Sequence, residues 1–253
     1  MKNIIIILTL TINLSCAFAF TLSSNAGRGY KSNEIDIHIA GNDCSRAGFS
    51  TTKYKSMIKN AVEDYWNRVP SSALELNVKS IRSDIDITND THATGLSKVP
   101  VNTMLAGCNA NTANQFADGS ILGSAVLSCS GSTCRSILIL NAHPNSQLNN
   151  MSDSEIEVVI AHEIGHAFGL GHSEYEFNLM YYSVGAKYQR WLGIDDINGV
   201  SYLYPHEGET PLFGIPLLGS CGTIDLDNDN SRSTFLNSFI IGIFLMFAML
   251  LFK

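Results

Sequence analysis

The run His162-Glu163-Ile164-Gly165-His166-Ala167-Phe168-Gly169-Leu170-Gly171-His172 decides how this chain is read. On a helix, His162 and His166 are four residues apart, so their imidazoles leave the same face one turn apart and can reach a single metal ion. A third histidine further along the same helix would be poorly aimed. Gly169 allows the backbone to turn sharply there, so His172 can swing back and complete three sides of a tetrahedron, leaving the fourth open to water. Imidazole donors in this geometry favour zinc, although another transition metal could occupy the same ligands.

Glu163 follows the first ligand directly. Helical geometry stands its carboxylate beside the open position without making it a ligand, which is where a general base is needed. Zinc lowers the pKa of water toward roughly 7, so a neighbouring carboxylate can take a proton at neutral pH as the water attacks an amide carbonyl, and can then hand that proton to the leaving amine. These residues therefore predict hydrolysis of peptide bonds. One histidine in a helix is usually a packed side chain, but five residue types at fixed offsets are not readily explained that way.

Upstream, Ser152-Asp153-Ser154-Glu155 is a capping box, so the helix carrying the motif should start there and run through Ile156, Val159, Ile160 and Ile164 to about Phe168. Earlier still, Ile35, Ile37 and Ile39 alternate with polar residues as a first strand. Apolar residues at three-to-four spacing from Tyr54 to Val69 predict a helix ended by Pro70. Leu74, Leu76 and Val78 form a second strand, which Ile81, Ile85 and Ile87 either continue or follow with a third. The β-α-β order suggests a sheet with a helix against it. Residues 89–118 are rich in Asn, Thr, Ala and Gly and read mostly as loop. Residues 120–127 and 136–140 are two short apolar runs joined by Cys129-Ser130-Gly131-Ser132-Thr133-Cys134, consistent with two strands. The remaining histidines, His38, His92, His143 and His206, lack ligand spacing and read as structural or solvated.

The chain has 253 residues, room for one domain with a sizeable core. Its net charge of -7, with no basic run, offers no footprint for a phosphate backbone, so nucleic acid is not an expected partner. Lys2, the apolar stretch from Ile4 to about Leu14 and Ala17-Phe18-Ala19 read as a signal peptide over residues 1–19, cut after Ala19. The alternatives are an uncleaved anchor or a lipoprotein site at Cys16. Export leaves Cys44, Cys108, Cys129, Cys134 and Cys221 where disulfides persist, with one left over. A Cys129–Cys134 bridge would suit a hairpin end and Cys44–Cys108 follows by elimination; buried free thiols are the alternative.

A short polar lead-in occupies residues 20–32, and a linker with an acidic spacer residues 206–234. The spacer's Asp225, Asp227 and Asp229 suggest calcium, but the run lacks the Gly and distal Glu of a complete loop. Residues 235–252 are almost wholly apolar and long enough, barely, for a membrane helix ending at Lys253. The same tail, preceded by Ser220-Cys221-Gly222 and a polar spacer, also fits a removable glycolipid-anchor signal. The expected location is thus outside the cell or at its surface, anchored through the tail or secreted after its removal. No residue pattern sets an oligomeric state.

The long histidine motif resembles that of the metzincins, and three neighbouring features resemble their matrixin branch, the matrix metalloproteinase-like peptidases. Ser173 follows the third histidine; Asn178-Leu179-Met180-Tyr181 looks like the matrixin Met-turn; and residues 192–204, with Asp195-Asp196-Ile197-Asn198-Gly199-Val200, are similar to the last helix of the catalytic domain. The resemblance spans roughly residues 33–205. It implies an α+β zincin fold: a twisted, mostly parallel sheet with one antiparallel edge strand, an active-site helix below it and a small subdomain after Gly169. It further implies a zinc metalloendopeptidase with His162, His166 and His172 as ligands, Glu163 as base and Met180 as a floor beneath the metal. The edge strand would pair with extended protein or peptide substrates.

Three departures stand out. Matrixins usually place Pro after the Met-turn Tyr, where this chain has Tyr182; astacins and serralysins carry a metal-proximal tyrosine there, which makes Tyr182 a candidate oxyanion donor. No Pro-Arg-Cys-Gly thiol latch precedes the domain, and the structural-zinc and calcium loops of the animal enzymes are not recognisable between Asn89 and Asn150. The competing reading, a noncatalytic surface protein of the same fold, would normally show a lost ligand or base, and all four are intact.

Overall fold

Ser152 begins the helix that organises the domain: its hydroxyl accepts the Glu155 N–H while the Glu155 carboxylate accepts the Ser152 N–H, so two otherwise orphaned donors are satisfied. The helix runs Asp153–Phe168 and stops at Gly169, whose φ of 127° is open to glycine and strained for other residues. The computed structural model describes residues 20–23, 29–41, 44, 47–110, 116, 119–183, 191–206 and the backbone of 225–226. The expected leader, the apolar tail, Cys221 and most of the acidic spacer lie outside the described residues. Among the described residues no helix is long and apolar enough to cross a membrane.

In chain order the elements are β1 (Thr21–Leu22), β2 (Glu34–Ala40), α1 (Thr51–Asp64), β3 (Glu75–Arg82), α2 (His92–Lys98), β4 (Thr103–Asn109), β5 (Gly123–Ser130), β6 (Thr133–Asn141), α3 (Asp153–Phe168), α4 (Ile194–Leu203) and β7 (Asp225–Leu226). Five strands form one sheet in the order β3-β2-β4-β6-β5. All neighbours are parallel except β5, which lies antiparallel to β6 at the edge. This is the mixed sheet that the matrixin resemblance implies. A separate parallel pairing joins β1 to β7.

Both faces of the sheet are covered. Alternate residues of the central strands, Met104, Ala106, Leu138 and Leu140, join the core shared with α1 and α3, while Leu105, Ile137 and Ile139 enter a second core with Ile85, Ile87, Val99 and Phe116. This arrangement corrects the loop expected over residues 89–118, which contains α2 and the central strand β4. Thr103-Met104-Leu105-Ala106-Gly107-Cys108-Asn109 shows no alternation because a strand buried on both sides has no solvent face to mark with polar residues. The cap of α2 is equally short-range: Thr91 and Thr94 exchange side-chain and backbone bonds. Strand β3 reaches Arg82, whereas Ile85 and Ile87 lie beyond it and plug the second core.

Helix α1 ends at Asp64, before a 3-10 turn over Trp66–Arg68. Trp66 is fully buried, meets Phe168 edge to face at 4.7 Å and donates its indole N–H to the Ala161 carbonyl at 2.9 Å. One side chain therefore carries apolar burial and a specific bond from the α1 end onto α3. The disulfides Cys44–Cys108 and Cys129–Cys134 are both present: the first ties the segment after β2 to β4, the second closes the β5-β6 hairpin. At the far end of α3, Tyr204 Oη donates to the Phe168 carbonyl at 2.8 Å and accepts the Tyr30 N–H at 3.0 Å, joining both ends of the domain to the helix terminus.

Candidate metal centre

His162 and His166 leave α3 one turn apart, and the turn at Gly169 brings His172 back to them. The Nε2 atom of His166 lies 3.1 Å from that of His162 and 3.1 Å from that of His172. The other ring nitrogens of the two helical histidines are committed to backbone carbonyls: His162 Nδ1 to Leu179 and His166 Nδ1 to Leu170, each at 2.8 Å. A carbonyl oxygen can only accept, so both Nδ1 atoms carry the proton and both Nε2 atoms present lone pairs. Two lone pairs facing each other at 3.1 Å repel unless a cation lies between them. Tetrahedral Zn–N bonds of about 2.0–2.1 Å separate their nitrogens by roughly 3.3 Å, so the triad fits zinc in both donor chemistry and spacing. Among the described residues no other group of three or more His, Cys, Asp or Glu side chains converges in this way.

Burial pushes His166 down to about 4, with the Leu170 carbonyl acting in the opposite direction and His172 adding to the fall. The imidazole is thus neutral and able to ligate at neutral pH. Glu163, only 7% exposed, is pushed up to about 8 by burial, offset in part by a bond from the Ala125 backbone. A divalent cation beside it would favour the carboxylate, reversing that direction. Gly123 at the start of β5 makes room for it: a Cβ there would meet Glu163 Cγ at 3.1 Å and Oε1 at 3.3 Å. Glu163 and the edge strand are therefore built against each other.

A cleft of about 720 Å³ opens over these groups, with Ser120 to Ala125 on one side and Leu22, Ser23 and Tyr182 among its other lining residues. Tyr182 is 66% exposed, with its ring 4.4 Å from that of Tyr181. Met180 is buried, and its sulfur lies so close to Gly165 that a Cβ at that position would collide with it. The four other histidines stand outside the cluster. His38 lies in β2 with a buried, unpartnered Nδ1; His92 opens α2 and not a loop; His143 Nδ1 accepts the Asn145 N–H; and His206 follows the last helix.

The residues that hold the Met180 turn went unassigned in the sequence. Asp196 accepts the N–H groups of Leu179 at 2.6 Å, Met180 at 3.0 Å and Gly193 at 2.7 Å. Asp195 accepts from Ser173 Oγ and Asn178 Nδ2, both at 2.8 Å, and Asn178 also donates to Ser173 at 2.7 Å. Both acids are 1% exposed. Burial raises Asp196 to about 6 while its three N–H donors pull the other way. Their signal was an acidic pair in the first turn of a helix, which usually needs no explanation beyond the helix dipole. Replacing Asp196 by Ala leaves three backbone donors without their acceptor, so Asp196→Ala should cost on the order of 3 kcal/mol in urea denaturation; a loss below about 1 kcal/mol would refute this account.

Comparisons with known proteins agree with the geometry. The Matrixin model of peptidase family M10 matches residues 30–205. A protein of Trichoplusia ni ascovirus 2c, provisionally named a matrix metalloproteinase, is 40% identical over 65 residues, covering 24% of this chain and 12% of that protein. Metalloendoproteinase 2-MMP of Arabidopsis thaliana is 37% identical over 76 residues, covering 30% of this chain and 19% of its own length. The similarity to these curated relatives thus spans less than a fifth of either. Most of this chain is nevertheless matched by the family model, and a histidine triad of the type that binds zinc in matrixins sits at its centre: the chain belongs to the matrixin family.

Proposed function

We propose that the protein is a zinc endopeptidase that cleaves peptide bonds in extended protein segments, with His162, His166 and His172 holding the ion and Glu163 acting as the base. The observation that carries this reading is the convergence of three imidazole nitrogens beside a buried carboxylate in an open cleft. Zinc held there supplies a Lewis acid that polarises the scissile carbonyl and acidifies water. Glu163 Oε atoms take the proton and return it to the departing amine nitrogen. The Ala125 backbone holds Glu163 toward the cleft, and burial limits competing solvent around it. Strand β5 has one edge paired to β6, and its other edge suits an extended substrate backbone.

Met180 serves as the floor beneath the metal, a role supported by its sulfur packing on Gly165 between the two helical ligands in sequence. Tyr182 donates its hydroxyl to the developing oxyanion, a reading supported by its place at the cleft. The leader and the apolar tail support action outside the cell or at its surface, with the tail either retained in a membrane or removed.

Chelation should abolish proteolysis of an unfolded protein substrate and added zinc should restore it, while Glu163→Ala should lower kcat by at least about a thousandfold with zinc still bound. A Glu163→Ala protein that cleaves normally would end this assignment. Tyr182→Phe is expected to reduce kcat by about a hundredfold with little change in KM; full kcat would remove Tyr182 from the mechanism. In cells making the full chain, fractionation should recover the peptidase in the surface membrane or the medium, and recovery in the cytosol alone would contradict export.

A further inference from the structure

The third ligand lies outside α3, in the segment from Leu170 to His172 that follows the Gly169 turn. That segment has two duties, since the Leu170 carbonyl orients His166 and the next residues deliver His172. Leu170 is tied to Gly165 at one end and Ser173 to the Met180 carbonyl at the other, and between them the segment is held by the start of the described chain. Ser23 donates its N–H to the Gly169 carbonyl at 2.9 Å, Gly171 donates to the Thr21 carbonyl at 2.8 Å, and Leu22 and Leu170 form an antiparallel bridge. Thr21 Oγ1 donates to the His172 carbonyl itself. Gly171 has no side chain to obstruct this contact, and a Cβ there would collide with Thr21 Oγ1. Phe20 anchors the strap: it is 7% exposed, lies 5.5 Å from the Tyr202 ring and would contact a Cβ placed at Gly199 on α4 at 3.4 Å.

We infer that Phe20 to Ser23 form a positioning strap for the metal centre and that Thr21 is a positioning residue for His172. The last amide bonded back to α3 is that of Leu170, which donates to the Gly165 carbonyl at 2.9 Å, so the angle at which His172 meets the ion is fixed from outside the helix. The strap supplies that constraint through two backbone hydrogen bonds, which together make the Leu22–Leu170 bridge, and one hydroxyl. A partner that orients a metal ligand typically changes metal affinity by about ten- to a hundredfold when removed.

The inference rests on the zinc reading of the triad, and its test separates the two. Wild-type protein, Thr21→Ala and Thr21→Ser are titrated against a chelating zinc indicator at fixed pH, and the thermal midpoint of each metal-free form is recorded. Thr21→Ala should bind zinc about tenfold more weakly, Thr21→Ser should stay within about twofold of wild type, and the metal-free midpoints should coincide. Equal affinity in Thr21→Ala, loss of affinity in Thr21→Ser as large as in Thr21→Ala, or a matching fall in metal-free stability would each overturn the positioning role. Wild-type protein that fails to bind zinc would overturn the zinc reading and this inference with it.

Discussion

Two backbone carbonyls, Leu170 and Leu179, set the orientation of the two helical imidazoles on which the centre depends. By accepting the Nδ1 protons of His166 and His162, they turn both Nε2 lone pairs inward and leave the site electrostatically incomplete without a cation. Each carbonyl is held by a different part of the molecule. Leu170 belongs to the turn after α3, paired with β1. Leu179 belongs to the Met180 turn, whose amides are bonded to Asp196 on α4. The metal ligands are therefore oriented by the chain that follows the helix, while the helix itself supplies only their spacing.

This division of labour explains the apparent excess of structure around so few reacting atoms. Helix α3 is capped at Ser152, gripped by Trp66 at Ala161 and closed at Phe168 by Tyr204. Those contacts fix the axis from which His162 and His166 project. Gly165 and Gly123 then act by what they lack: one lets the Met180 sulfur approach the helix, the other lets Glu163 lie against the edge strand. A site of this kind needs rigid walls, because a general base misplaced by an ångström loses much of its effect.

Local signals with a fixed spacing were legible in the sequence. The histidine offsets, the Ser152 box, the Gly169 stop and the alternation of Ile35, Ile37 and Ile39 each follow from geometry within a few residues, and the structure has them all. The matrixin resemblance supplied the sheet's character and the last helix, and Cys129 and Cys134 could be paired from the hairpin they bracket. Strand β4 was not legible, since burial on both faces erases the period by which strands are recognised. Nor were Asp195, Asp196 and Thr21, whose partners in the metal-site segments lie between 16 and 151 residues away. A carboxylate that organises a distant loop looks, in sequence, like any acid at a helix start.

The outer edge of β5, which pairs with no strand among the described residues, has a second consequence. A strand left unpaired so that it can receive one extended chain can receive any, including the same strand of another copy, so the feature that would admit substrate is also a place for self-association. The face it offers is short and hydroxyl-rich, with Ser124, Ser128 and Ser130 along its eight residues, and the Cys129–Cys134 bridge pins one end to β6. Such an edge is better suited to brief, register-tolerant pairing than to a lasting sheet, which is the property required of a surface that must release what it binds.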